Sequence, residues 1–242
     1  MVQQVSKTKI VYPDSDGQPM ADNTEQFKWI VTIKENLEAI FADNPDVFVA
    51  GDLLWYPVEG DNKTRRAPDV MVAFGRPKGY RGSYKQWQED DIAPQVVFEI
   101  LSPGNRQKEM AEKFQFYQRY GVQEYYVYDP DTVDLIGWQR VDGYLEIIQS
   151  IQDWVSPLLK IRFAIKLDML EIYRPDGESF VTFTENVRQR NRAEQERNQA
   201  QLERNQAQLE RNQAQLERDE AITKAERLAA QLKALGIEPT EN

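Results

Sequence analysis

An unbroken seven-residue repeat near the C-terminus places the strongest limit on how this chain can fold. The sequence Arg-Asn-Gln-Ala-Gln-Leu-Glu occurs three times in tandem, over residues 197–203, 204–210 and 211–217. A period of seven brings one leucine per repeat onto the same stripe of an α-helix, so the repeat predicts a long helix. We therefore expect two domains, a globular domain over residues 1–184 and a helical tail over residues 185–242.

The tail offers only a narrow apolar stripe for contacts with another helix. Leu202, Leu209 and Leu216 form the stripe, and Asn or Gln occupies the other seam position, which weakens self-association. Two interpretations therefore stay open. The tail is either a solvated single helix or partly disordered segment, or a marginal coiled coil that makes the protein a homodimer.

Helical and strand patterns alternate through the first domain. Apolar residues at helical spacing predict two helices, and short apolar runs ended by Pro, Gly or Asp predict the strands. The expected order is a helix over 24–42, strands over 47–56, 69–74 and 95–101, a helix over 106–120, a strand over 124–128, a hairpin over 133–150 and mixed short strands to 184. The pattern predicts a domain of the α/β (α+β) class.

The residue types that are missing exclude several kinds of site. The chain has no histidine and no cysteine, so Ser-His or Cys-His nucleophiles, zinc sites of the usual ligands and disulfides are excluded. Any metal must be held by oxygen ligands, which suit magnesium, manganese or calcium. The N-terminus has no apolar signal region and no apolar run could span a membrane, so we expect a cytoplasmic protein without a membrane partner.

The distribution of charge marks one segment as different from the rest. The net charge is −10, of which −9 belongs to residues 1–184, and this argues against general affinity for nucleic acid. Between Lys63 and Trp87, however, there are seven basic residues and a single acidic one. The segment is either a solvated loop or a local phosphate-binding surface. The residues that would contact DNA are Arg65, Arg66, Arg76, Lys78, Arg81 and Lys85.

Two acidic residues lie in predicted strands, where such residues are uncommon. Asp69 precedes the run Val70–Phe74, and Glu99 lies inside the apolar run of residues 96–101. A divalent cation between two such acids would remove both the cost of burial and their mutual repulsion. Lys113 lies near the buried face of the next helix and could meet both acids, although it could equally pair with Glu109 at the surface.

Four segments stand in order along roughly residues 20–175, namely Ala67-Pro68-Asp69-Val70-Met71-Val72, Val97-Phe98-Glu99-Ile100-Leu101-Ser102-Pro103, Lys113 with Phe116-Tyr117, and Gly121-Val122-Gln123-Glu124-Tyr125-Tyr126-Val127-Tyr128-Asp129-Pro130. Together they resemble the Uma-type endonuclease family of the PD-(D/E)xK nuclease superfamily. The tail lies outside the resemblance. In the wider superfamily the lysine usually follows the strand acid by two residues, where this chain has Leu101.

The resemblance implies both a fold and a chemistry. It implies a restriction-endonuclease-like mixed β-sheet flanked by helices, followed here by the long helical tail. It also implies an endonuclease that hydrolyses DNA phosphodiester bonds with Mg²⁺ or Mn²⁺. Asp69, Glu99 and the Ile100 backbone carbonyl would hold the ion, with Asp52 as a weaker candidate ligand, and Lys113 would act on the water or the phosphate.

Two other functions stay open alongside the endonuclease. The chain could be a nuclease fold that binds nucleic acid without cutting it, or an assembly module carried on a coiled coil. If Asp69 and Glu99 repel each other in the metal-free protein, we expect Glu99→Gln to leave that protein at least as stable as before.

Overall fold

The computed structural model describes residues 10–104, 107–166 and 169–236, and the contacts within the chain divide it into two units, one up to Phe183 and one from Thr184. Helix α1 spans Thr24–Ile40 and α2 spans Gln107–Tyr120. The strands are β1 (Val47–Gly51), β2 (Trp55–Tyr56), β3 (Val70–Phe74), β4 (Tyr84–Lys85), β5 (Val96–Ile100), β6 (Glu124–Asp129), β7 (Asp134–Val141), β8 (Tyr144–Ile147), β9 (Arg162–Lys166) and β10 (Met169–Tyr173).

Six of these strands form the mixed sheet that organises the first unit. Its order is β1-β3-β5-β6-β7-β8, and β5 and β6 run parallel while all other neighbours are antiparallel. The parallel pair needs a crossover, and α2 lies in that connection. The expected α/β class and the mixed sheet with helices are therefore confirmed.

Each helix packs on its own face of the sheet. Residues of a strand alternate between faces, and Val96, Phe98 and Ile100 join α1 in one core while Val97 joins α2 in the other. Glu99 alternates with Phe98 and Ile100 along β5, so its acidic side chain points toward α2, not toward α1.

The Asn23 side chain caps α1 by accepting the backbone N–H of Gln26 at 2.8 Å.

Most predicted elements agree with the structure, and one strand does not. The strand expected over residues 47–56 ends at Gly51, because Asp52 adopts a left-handed backbone conformation with φ of +47°. The chain resumes as β2, which pairs in parallel with β4 in a separate two-stranded sheet. The expected hairpin is confirmed as β7 and β8 around Asp142 and Gly143, both with positive φ. The expected start of α2 at residue 106 lies outside the described residues.

The second unit is a single helix over most of its described length. Helix α3 spans Phe183–Ala234 and contains no buried residue. The exposed fractions of Leu202, Leu209 and Leu216 are 66%, 69% and 65%. The long helix is confirmed, and the coiled coil stays a prediction. Within the described ranges, no helix is both long enough and apolar enough to cross a membrane.

Candidate active site

The pairing of β3 with β5 brings the two strand acids together. Val70 lies opposite Phe98, and the strands are antiparallel, so the residue before Val70 is carried toward the residue after Phe98. Those residues are Asp69 and Glu99, and both fall on the face that α2 covers. Asp69 is 8% exposed and Glu99 only 1%.

Helix α2 supplies two hydrogen-bond donors to Glu99. Lys113 Nζ lies 2.8 Å from Glu99 Oε2, and the Tyr117 hydroxyl donates to Oε1 at 2.5 Å. Residues four apart on a helix share a face, so a single face of α2 carries both donors. The structure thus brings Lys113 to the acids, and the Glu109 carboxylate is a second contact of its ammonium at 3.6 Å.

Asp69 is held by the backbone of β5. Its Oδ2 accepts the N–H of Ile100 at 2.6 Å, and the carbonyl of the same residue accepts Nε2 of Gln26 at 2.8 Å. Gln26 Oε1 in turn accepts the N–H of Asp22 at 2.8 Å. The start of α1 therefore binds the backbone of β5 at the same residue whose N–H holds Asp69.

Sequence reasoning missed Gln26 and Tyr117, although each left a signal. Gln26 is a buried polar residue four positions before Ile30, in register with the buried face of α1. Tyr117 follows Lys113 by four residues and so shares its helix face. A polar group in an apolar stripe needs a buried partner, and here the partners are Ile100 and Glu99.

The charges in this site act strongly on one another. Burial, followed by the charge of Glu99, raises the pKa of Asp69 well above its ordinary value. Burial alone would lower the pKa of Lys113, but the charges of Glu99 and Asp69 outweigh it, so the pKa is raised and the ammonium persists. Burial and the Glu99 charge raise the pKa of Tyr117, which keeps its phenol protonated as a donor.

An open cavity of about 720 Å³ reaches this group of residues. Asp69 and Lys113 line it together with Asp52, whose pKa is raised by burial and then by the charges of Asp16 and Glu99. Glu99 lies behind Lys113 and is not part of the lining. Three further cations line the cavity, namely Lys63, Arg65 and Arg66.

The other four predicted DNA contacts lie away from the cavity and have local partners. Arg76 and Arg81 share Glu89, at 3.0 and 2.6 Å. Lys78 donates to the backbone carbonyls of Phe41 and Ala42, just past the end of α1. Lys85 lies over the ring of Tyr12 at 5.9 Å. These contacts tie down loops of the fold, and only Arg65 and Arg66 of the six predicted cations line the cavity.

The predicted metal ligands are brought together only in part. Among the described residues, no group of three or more Asp, Glu, His or Cys side chains is placed to hold an ion. Asp69 and Glu99 are adjacent, and Asp52 lies within electrostatic range of Glu99. The Ile100 carbonyl already accepts one hydrogen bond, from Gln26.

Comparisons with known proteins give a family match and similar solved structures. A crystal structure from Anabaena variabilis, described as a "putative nuclease", matches with 17% identity and a TM-score of 0.42 over 56% of this chain and 72% of that one. No curated protein matches. The family Uma2, described as "putative restriction endonuclease", matches residues 12–170. That match covers more than half of the chain and includes Asp69, Glu99 and Lys113, and the protein therefore belongs to the Uma2 family of restriction-endonuclease-like proteins.

Proposed function

We propose that this protein is a Mg²⁺-dependent endonuclease that hydrolyses DNA phosphodiester bonds. The observation that carries the proposal is that Asp69, Glu99 and Lys113 meet, with Asp69 and Lys113 lining an open cavity. Strand acids are costly to bury, and Asp69 lines the cavity where a substrate could arrive. Membership of the Uma2 family supports the same class of reaction.

The residues present fit a magnesium ion. Mg²⁺ keeps several waters and is commonly bound through one or two carboxylates together with substrate phosphates, so two acids suffice. Asp69 Oδ2 is engaged by Ile100, and no described residue donates a hydrogen bond to Oδ1. Burial and then the charge of Glu99 raise the pKa of Asp69, and a divalent cation beside the carboxylate would favour its ionised form. Asp69 and Glu99 would hold the ion, and the second lone pair of the Ile100 carbonyl is available to it.

When bound, Mg²⁺ would supply a Lewis acid for the phosphoryl group and a more acidic water. Lys113 places a permanent positive charge at the cavity floor, where negative charge grows on the phosphate oxygens during hydrolysis. Tyr117 and Lys113 hold the Glu99 carboxylate by both oxygens. The Ile100 N–H holds the Asp69 carboxylate, and Gln26 holds the next peptide group along β5 through the Ile100 carbonyl.

Cleavage of a supercoiled plasmid tests the proposal. We expect nicking that needs Mg²⁺, is abolished by EDTA and is lost in Asp69→Asn and Lys113→Met. The matched control is Lys108→Met, which removes an exposed lysine from the same helix and should cleave like the parent. A parent that leaves the plasmid intact across a Mg²⁺ series, or a Lys113→Met variant with parental activity, would contradict the proposal.

Three cations of the cavity lining predict where the DNA backbone binds. They are Lys63, Arg65 and Arg66, and they line the cavity together with Asp69 and other acidic residues. Replacing all three by Gln should lower the slope of log affinity against log salt by roughly 0.9 for each phosphate that the variant no longer binds. The measurement is DNA binding in EDTA over a salt series. The control is the same number of exposed lysines changed to Gln elsewhere, at Lys28, Lys160 and Lys166, where an equal fall in slope would mean that only net charge matters.

A further inference from the structure

The two oxygens of Glu99 have different partners. Oε2 is bonded to the Lys113 ammonium, which lines the cavity, whereas Oε1 is bonded to the hydroxyl of Tyr117, which is 0% exposed. We propose that Tyr117 is a positioning residue, whose hydroxyl holds Glu99 Oε1 and so fixes the orientation in which the carboxylate meets the divalent cation. This inference rests on the proposed function.

The ring of Tyr117 is held firmly enough to fix that oxygen. It is stacked on Trp55 with a centroid distance of 6.4 Å and contacts the ring of Tyr125 at 5.0 Å. A buried aromatic ring packed on two sides has little freedom to follow a moving carboxylate. A cation that turned the Glu99 carboxylate out of this orientation would leave a buried phenol without an acceptor, so binding that keeps the carboxylate in place is favoured.

Two neighbouring tyrosines provide matched controls. Tyr125 is equally buried on the same face, but its hydroxyl has no hydrogen-bond partner among the described residues. Tyr126 faces the other core and donates to the buried carboxylate of Glu124 at 2.9 Å. Tyr125→Phe therefore removes a buried hydroxyl beside the site without removing a bond, and Tyr126→Phe removes a phenol–carboxylate bond away from the site.

The experiment measures Mg²⁺ affinity of the three Tyr→Phe variants and the parent by calorimetry and by the Mg²⁺-dependent shift in melting. We expect Tyr117→Phe to raise the Kd for Mg²⁺ by about 10–100-fold, the usual effect of removing a partner of a metal ligand. Tyr125→Phe and Tyr126→Phe should stay within about twofold of the parent, even where Tyr126→Phe lowers the melting temperature.

Two results would overturn the inference. One is a parental Kd in Tyr117→Phe, and the other is an equal rise in Kd in Tyr126→Phe, which would indicate general loosening of the fold. Failure of the proposed function looks different, because the parent itself would then bind no Mg²⁺ and cut no DNA, and the inference would fall with it.

A measurement on the parent protein decides the matter if Tyr117→Phe does not fold. The buried hydroxyl proton of Tyr117 is shielded from solvent and bonded to Glu99, so nuclear magnetic resonance should detect it as a slowly exchanging signal. We expect the signal to persist when Mg²⁺ saturates the protein. Its loss on saturation would mean that the cation moves the carboxylate away from Tyr117 and that the proposed role of Tyr117 is wrong.

Discussion

The ion pair between Glu99 and Lys113 predicts how substitutions at these two residues change the stability of the metal-free protein. For Glu99→Gln, the predicted change is opposite in sign to the one expected from the sequence alone. Their side chains are only 2% and 15% exposed, and the charged atoms lie 2.8 Å apart. Removing one partner of a buried ion pair leaves an uncompensated charge and typically costs about 3–5 kcal/mol, whereas replacing both by neutral groups is often nearly neutral. The sequence-based expectation that Glu99→Gln is harmless in the metal-free protein therefore changes sign.

The neighbours of the pair determine where in that range each variant falls. After Glu99→Gln, Lys113 keeps the charge of Asp69 and the Glu109 carboxylate at 3.6 Å, so we expect a loss near the lower end, about 3 kcal/mol. Lys113→Met instead leaves Glu99 and Asp69 facing each other, and we expect a loss nearer the upper end, about 5 kcal/mol. The double variant should lie within about 1 kcal/mol of the parent.

Urea unfolding in EDTA at pH 7, followed by tryptophan fluorescence, measures all four proteins. At about 2–4 °C for each kcal/mol in a unit of this size, Glu99→Gln should also melt roughly 6–12 °C below the parent. Lys108→Met, at an exposed pair on the same helix, should change stability by less than about 0.5 kcal/mol. A double variant destabilised by the sum of the single losses would refute the reasoning, because additive losses mean that the two groups do not interact.

Three further predictions follow from other parts of the chain. Because the pKa of Asp69 is raised, its contribution to stability is complete below about pH 3.8 and is lost as pH rises through the pKa of the folded protein. The free energy of unfolding of Asp69→Asn, measured in urea at pH 7, should therefore equal or exceed that of the parent. Any gain in stability should vanish near pH 4. Gly121 ends α2 with φ of +92°, so Gly121→Ala should cost about 1–2 kcal/mol by urea unfolding and leave Mg²⁺ affinity unchanged. A chain ending at residue 185 should melt within a few degrees of the parent, since α3 buries no residue, and aggregation of the shortened protein would contradict this.

The strand acids could be predicted because their signals are local. Asp69 and Glu99 stand next to runs of buried β-branched and aromatic residues, where an acid has no structural reason to be. That contrast is visible within six residues of sequence. Their adjacency additionally needed the register of β3 against β5, which places Val70 opposite Phe98 and which no local pattern specifies.

The sequence alone could not show which cations of the basic segment line the cavity and which are bound to acidic residues of the fold. The acidic partners lie elsewhere in the chain and are brought close only by the folded loops. Arg65 and Arg76 look alike as members of one basic segment. In the structure Arg65 lines the cavity, whereas Arg76 is bound to Glu89, thirteen residues further on. A turn and a 3-10 helix bring Glu89 close to the arginines. The length of the loop alone does not predict that Glu89 contacts them.

The connection from β5 to β6 explains why the lysine of this site comes from a helix. Glu99 and Leu101 point to the same face of β5, and Leu101 packs in the apolar core beneath α2, a place where a charged residue would be costly. Helix α2 must cross that face to join the parallel strand β6, so its inner side lies over the acids in any case. A lysine one turn before Tyr117 then reaches Glu99 from the helix, with its side chain only 15% exposed and in the lining of the cavity. The β5-α2-β6 unit therefore supplies the acid, the lysine and the tyrosine together, and the strand position can remain apolar.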